Sequence, residues 1–268
     1  MMLMVFKAYQ KPYKLIKKSN FRGVKILQNT FIHIPGIGKE TEANLWKNNV
    51  HTWNQLLEIN LSETIHSFAK QSIKAYEEKN YDFFLQHLPS NQHWRAYDDF
   101  RDQCCFLDIE TTGLSKYTND ITLVGLYANN ESKFFIQGKN MKELPKYLNK
   151  YPMIITYNGK CFDLPFLQHK FPSLNLNKYH IDLRFAMKDI GYSGGLKSIE
   201  RQAGIQRDDD LKEVDGYEAV RLWYKYKRGD SEALGTLLRY NQADIENLKI
   251  LMDLTFDKLK NKEFYSLI

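Results

Sequence analysis

Cysteine is scarce in this chain: three in 268 residues, at Cys104, Cys105 and Cys161. The number is odd and two are adjacent in an apolar run, which argues against a disulfide framework and for a reducing compartment. There is no Cys-x-x-Cys pair and no histidine set at ligand spacing, so a zinc site is not expected. Long apolar runs are lacking too. None approaches the ~20 residues of a membrane-spanning helix, and the apolar residues 1–6 end at Lys7, too early for a signal-peptide core. These absences predict a soluble, cytoplasmic protein with no membrane partner. Acid is missing from residues 1–25, which carry seven basic residues: Lys7, Lys11, Lys14, Lys17, Lys18, Arg22 and Lys25. The whole chain has a net charge of +6, so everything else comes to −1. A basic arm on a near-neutral body suits a polyanion, although a solvated tail has the same composition.

What is present supports a packed core. The chain is 43% hydrophobic, 14% aromatic and 26% charged, unlike a disordered polymer. Its length suits one large domain or two small ones.

The first chemical signal is Phe106-Leu-Asp-Ile-Glu-Thr-Thr-Gly113. Residues 104–107 are apolar and aromatic, as a buried strand requires. Asp108 and Glu110 follow two apart, so in a strand they face one spot. At ~4 Å in a half-buried site two like charges repel by roughly 4 kcal/mol. Such a pair needs a proton or a cation, and hard oxygen ligands favour Mg²⁺ or Mn²⁺. A solvated strand end running into a Thr-Gly turn would present the same residues without chemistry.

The second signal is Phe31-Ile-His-Ile-Pro-Gly-Ile-Gly-Lys-Glu-Thr-Glu-Ala-Asn-Leu-Trp46. Pro35 to Gly38 form a tight turn, and Ala43, Leu45, Trp46 and Val50 continue as a helix. Residues 52–86 read as helical, and Pro89-Ser-Asn-Gln92 breaks the pattern. Beyond residue 93, strands are expected at 104–110, 121–128, 132–136, 153–157 and 180–183. Asn129-Asn130 makes a hairpin turn, and a helix covers 139–150. The boundaries drawn are a basic arm at 1–30, a helical domain at 31–92 and an α/β domain at 93–268.

Two further signals are acidic. In Tyr157-Asn-Gly-Lys-Cys-Phe-Asp-Leu-Pro-Phe-Leu167, Asp163 sits near a helix start, as a cap or as a third carboxylate. In Leu238-Arg-Tyr-Asn-Gln-Ala-Asp-Ile-Glu-Asn-Leu248, Tyr240 and Asp244 are four apart and share a helix face. Asp244 adjoins the apolar side, which is unfavourable for a carboxylate that binds nothing. Asp182 reads as a cap or a support for the site. Gly194-Gly195 opens a helix whose Lys197 is either solvated or within reach of a phosphate. Arg207-Asp-Asp-Asp210 with Asp215-Gly216 reads as a solvated polar loop.

In their order along the chain, Asp-x-Glu on the first strand, Phe-Asp after the fourth and Tyr-x-x-x-Asp on the last helix resemble the three motifs of the DEDD 3′–5′ exonuclease superfamily, tyrosine branch. Residue 239 is arginine, so the histidine branch does not fit. With the Gly-Ile-Gly turn ahead of His93-Trp-Arg95, the chain looks most like the YprB-like exonuclease group, which carries an N-terminal helix-hairpin-helix. The resemblance implies a ribonuclease H-like mixed five-stranded sheet flanked by helices, preceded by a small helical domain. It also implies phosphodiester hydrolysis with two Mg²⁺ or Mn²⁺ ions about 4 Å apart. Asp108, Glu110 and Asp244 would hold one ion, Asp108 would bridge to the second, and Asp163 would support that one through water. Tyr240 would orient the attacking water. Thr112 and Asn158 would contact the terminal nucleotide of a single-stranded 3′ end, DNA or RNA. Gly36, Gly38 and Lys39 would grip a backbone phosphate in the hairpin. A structure-specific endonuclease on the same fold and a non-catalytic nucleic-acid-binding protein remain open.

Overall fold

The computed structural model describes residues 25–268; of the basic arm drawn at 1–30, residues 1–24 lie outside the described residues. The described residues form two compact units, one of Asp102–Thr255 and the other of residues 25–101 together with Phe256–Ile268.

The helical unit begins with a short 3-10 turn at Ile26–Asn29 and contains α1 (Lys39–Lys47), α2 (Trp53–Leu57), α3 (Glu63–Glu77), α4 (Tyr81–His87) and α5 (Tyr97–Phe100). The helical pattern over 52–86 is thus three helices rather than one. Local start signals divide it: Thr52 and Gln55 form a reciprocal capping box on α2, and the Ser62 hydroxyl caps α3. Lys79, with φ of 55°, ends α3 in the left-handed region. Tryptophans hold the unit's centre. Trp46 donates its indole N–H to the Asn29 carbonyl at 2.9 Å, and Trp53 donates to Thr30 at 2.8 Å. Glu42 is buried, yet its carboxylate accepts from the N–H of Phe31 at 2.6 Å and of Ile32 at 3.0 Å, and from Arg95 at 2.8 Å. Arg95 reaches Glu263 at 3.0 Å with its other nitrogen, so each buried charge is matched. Gly36 carries a φ of 90°, which favours glycine there, and Gly38 is an N-cap without a side-chain acceptor.

The second unit is built on five strands in the order β3-β2-β1-β4-β5. They are β1 (Cys104–Thr111), β2 (Ile121–Ala128), β3 (Glu131–Ile136), β4 (Met153–Thr156) and β5 (Tyr179–Asp182), each within a residue or two of its expected span. β1, β2 and β3 pair antiparallel, while β4 joins β1 and β5 in parallel. Asn129 and Asn130 have φ of 52° and 61°, the two positive values a tight hairpin turn demands.

Helices α6 (Leu144–Leu148), α7 (Asp163–Lys170), α8 (Leu183–Lys188), α9 (Leu196–Gln202), α10 (Asp209–Lys212), α11 (Gly216–Lys227) and α12 (Ser231–Lys260) complete the chain. Residues 139–150 form a 3-10 turn followed by α6, a shorter helix than expected. On one sheet face Cys105, Leu107 and Ile109 pack with Leu144, Leu148, Phe166 and Leu167. On the other, Leu123 packs with Leu222 and Trp223 of α11 and Leu237 of α12. The mixed five-stranded sheet flanked by helices is therefore present. Among the described residues no helix is long and apolar enough to cross a membrane.

Candidate active site

Period two along β1 places Asp108 and Glu110 on the sheet face covered by α12. Opposite them on β2 stand Gly125 and Leu123, the latter in the core beneath α11 and α12. α12 brings Asp244 to the same spot. One carboxylate oxygen from each of Asp108, Glu110 and Asp244 lies within 4.8 Å of the others. Glu110 and Asp244 are buried and Asp108 is half-buried.

Asp163 is a buried neighbour of this trio. It occupies the first turn of α7 but is not its cap, because Phe162 holds that position. Its Oδ1 accepts the Ile109 N–H at 3.2 Å instead. The reason lies in the ladder: β1 pairs with β4 over residues 104–106 only, so the Ile109 amide lies beyond that pairing and needs another acceptor.

These residues line a cavity of about 560 Å³. Asp108, Glu110, Asp163, Tyr240, Asp244 and Asn158 share its wall with Thr111, Leu114, Lys197 and Gly216. Thr112 is not among the lining residues. Its hydroxyl accepts the Asp120 N–H at 2.9 Å and its own N–H donates to the Asp120 carbonyl at 2.9 Å, so it closes the loop between β1 and β2. Asn158 sits at φ of 64°, and its side-chain oxygen accepts from Arg184 at 2.6 Å. Asp182 is the cap of α8 and also accepts the N–H of Asn158 at 2.7 Å and of Lys160 at 3.0 Å, fixing the turn after β4. Gly36, Gly38 and Lys39 belong to the helical unit, where all three are exposed.

Two residues of the site were given no part in it by the sequence. Asn241 is fully buried and donates Nδ2 to Asp108 at 2.8 Å and to Glu110 at 3.4 Å. It reaches them because residue 125 has no side chain: a Cβ there would meet Asn241 Oδ1 at 1.9 Å. The signal was available, since Asn241 and Asp244 are polar positions in the Leu237, Ile245, Leu248 stripe of α12. The second is Arg207. Its place in a solvated loop is corrected by the structure: its side chain is 4% exposed and bonds Asp244, while also gripping Glu200 through two nitrogens at 2.6 Å each. The three aspartates after it are exposed, as expected of loop residues. Lys197 is half-buried and its ammonium is already engaged. Its ammonium donates to the carbonyls of Leu211, Lys212 and Val214 and lies over the Tyr240 ring at 5.3 Å.

Burial and mutual repulsion hold protons on the acids. Burial, then the charges of Asp244, Glu110 and Asp163, pushes Asp108 well above the usual carboxylate range, and burial with Asp244 does the same to Glu110. Burial raises Asp163 to about 7. It raises Asp244 to about 6, against the opposing pull of Arg207. Burial and the same acids raise Tyr240, so its hydroxyl stays protonated at neutral pH. Three carboxylate oxygens at one point, all biased by burial towards the protonated form, make a donor set that fits a hard divalent ion.

No curated protein sequence matches the chain. Among solved structures, Brucella melitensis NrnC with bound Mg²⁺ is similar at 18% identity and a TM-score of 0.44, covering 62% of this chain and 78% of that one. The Aedes aegypti Nibbler EXO domain is similar at 14% identity and a TM-score of 0.42, covering 66% and 91%. The family B DNA polymerase of the hyperthermophilic archaeon Pyrobaculum calidifontis matches at 13% identity and a TM-score of 0.45, covering 59% of this chain. The chain spans only 24% of that polymerase's length. A family model described as the RNase_H superfamily matches residues 105–256. That span runs from β1 into the C-terminal part of α12 and holds every acid of the cavity, so the sheet and the carboxylate cluster fall within one family match: this chain belongs to the RNase_H superfamily.

Proposed function

We propose that the chain is a metal-dependent 3′–5′ exonuclease that removes terminal nucleotides from single-stranded nucleic acid. The observation that carries this reading is the convergence of Asp108, Glu110 and Asp244 within 4.8 Å at a cavity of about 560 Å³, room for a nucleotide. The tyrosine four residues before Asp244 supports the tyrosine branch, and the resemblance supplies the 3′–5′ polarity. NrnC, one of the similar structures, is also recorded bound to pGG.

Asp108, Glu110 and Asp244 would hold Mg²⁺ or Mn²⁺, with Asp163 beside them. Such ions supply Lewis acidity for the phosphate and make hydroxide accessible at neutral pH. The rest of the work is done by side chains. Asn241 bridges Asp108 and Glu110 and fixes the angle between them. Arg207, itself held by Glu200, presents the Asp244 carboxylate in one orientation. Tyr240 keeps its proton and can both donate to and accept from the attacking water. The Lys197 ammonium at 5.3 Å and the Arg207 guanidinium at 5.6 Å both lie over its ring. In the helical unit, Gly36, Gly38 and Lys39 would grip a backbone phosphate through the open first turn of α1.

The test is digestion of end-labelled and circular single strands, both DNA and RNA, with Mn²⁺. The reading predicts stepwise loss of a 3′ label and intact circles. Cut circles would replace it with an endonuclease, and bound but uncut strands with a binding protein.

A further inference from the structure

α11 was not anticipated from the sequence, and its outer face has an unusual composition. The inner face is fixed in the core by Ala219, Leu222 and Trp223. The outer face carries Tyr217, Arg221, Tyr224 and Arg228, all exposed, at the i, i+4, i+7, i+11 spacing of a single stripe. Tyr217 is 74% exposed and Tyr224 47%, two of the few large apolar side chains left in solvent among the described residues. The helix and its C-cap carry four basic residues and one acid. That acid, Glu218, pairs with Arg221 at 2.9 Å in an exposed contact of the weak kind, which leaves the guanidinium available.

The stripe starts at the candidate active site. Gly216 and Val220, on the same helix, line the carboxylate cavity. A charged face on a helix is ordinarily a solvated face. Two exposed aromatics alternating with two arginines, beginning at the wall of a cleft, is instead the combination that binds single strands: aromatic platforms for bases and cations for phosphates. The spacing also suits a strand. Tyr217 and Tyr224 are separated by roughly 10 Å of helix, about three nucleotides at the ~3.4 Å rise of a stacked strand.

We propose that the outer face of α11 is a binding track for single-stranded nucleic acid, holding the nucleotides adjoining the terminal one in the cavity. Bases stack on Tyr217 and Tyr224, and phosphates pair with Arg221 and Arg228. The track rests on the nuclease reading above, because it takes its direction from the cavity. It belongs to a rigid helix packed on the core, so its geometry is set before substrate arrives.

The experiment measures affinity in EDTA, where no cleavage intervenes, by fluorescence anisotropy of 5′-labelled single-stranded oligonucleotides two and eight nucleotides long. The wild type should bind the octamer much more tightly than the dinucleotide. Combined Tyr217→Ala and Tyr224→Ala should weaken the octamer at least about tenfold, given the worth of one base–aromatic stack, and weaken the dinucleotide less. Tyr217→Phe with Tyr224→Phe should keep octamer affinity, since the ring is what stacks. Arg221→Ala with Arg228→Ala should flatten the log–log salt dependence by about 1.4, two phosphates at ~0.7 each on a single strand. Octamer affinity and salt slope unchanged in both alanine pairs would overturn the track and leave the stripe as a face for a protein or for solvent. Equal losses on dinucleotide and octamer would also overturn it, placing the tyrosines inside the cavity's own binding. A wild type that binds neither length in EDTA would also overturn the track, whereas the nuclease reading stands or falls on the digestion with Mn²⁺.

Discussion

Arg207 is bonded directly to Asp244, one of the three convergent carboxylates. Removing one member of a buried ion pair leaves the partner charge uncompensated, at about 3–5 kcal/mol. Arg207→Ala should therefore lower the melting temperature of the metal-free protein markedly. Arg207→Lys should recover only part of the loss, because a point charge cannot span Glu200 with two nitrogens and hold Asp244 as well. Thermal unfolding in EDTA checks both. A wild-type melting temperature in Arg207→Ala would mean that Asp244 does not need the arginine. Sequence reasoning placed this residue in solvent because it is followed by three aspartates, and a run of charges is normally a solvated run. What set it apart is a tertiary contact with α9 and α12, which has no local signature. Asp108 and Glu110 were legible for the opposite reason: their alternation and the apolar strand before them are local.

Among the elements, the crossing of α12 over β1 and β2 builds the site, and Gly125 sets how close it comes. Gly125 is the register partner of Asp108, and Asn241 fills the space its missing side chain leaves. Gly125→Ala would drive a Cβ to 1.9 Å from Asn241 Oδ1, with Ile245 at 3.1 Å, so the asparagine must leave Asp108 or the helix must lift. Overpacking of this kind costs roughly 1–3 kcal/mol. The expected outcome is a lower melting temperature together with a larger loss of nuclease activity than stability alone explains. Unchanged activity in a folded Gly125→Ala protein would show that the Asn241 bridge is dispensable. The strands and α12 were readable from alternation and from the four-residue interval between Tyr240 and Asp244. α11 was not, because its core face is Ala219, Leu222 and Trp223 with Tyr226 packed beside them, while its outer face is aromatic too. Aromatics on both sides blur the helical period on which such a reading depends.

In the molecule as a whole, folding brings together a cluster of acids whose charge a divalent ion would satisfy. Folding raises Asp244 to about 6 and Asp163 to about 7, chiefly by burial. The folded chain then holds protons that the unfolded chain has released above the ordinary carboxylate value of ~4. Stability from these groups is fully present below that value and is lost as pH rises through about 6 to 7. A divalent ion bound by these acids would replace the protons and reverse the loss, since a ligand of the folded state stabilises it by mass action. The most direct measurement is the melting temperature between pH 4 and 8, with EDTA and with Mn²⁺, for the wild type and Asp108→Asn. The account predicts a metal-free wild type that loses stability towards neutral pH and regains it with Mn²⁺. It predicts an Asp108→Asn protein that is as stable or more stable without metal, has a shallower pH dependence and shows little response to Mn²⁺. A wild type whose stability is flat across this range and indifferent to Mn²⁺, or an Asp108→Asn protein that responds to the ion as the wild type does, would contradict it.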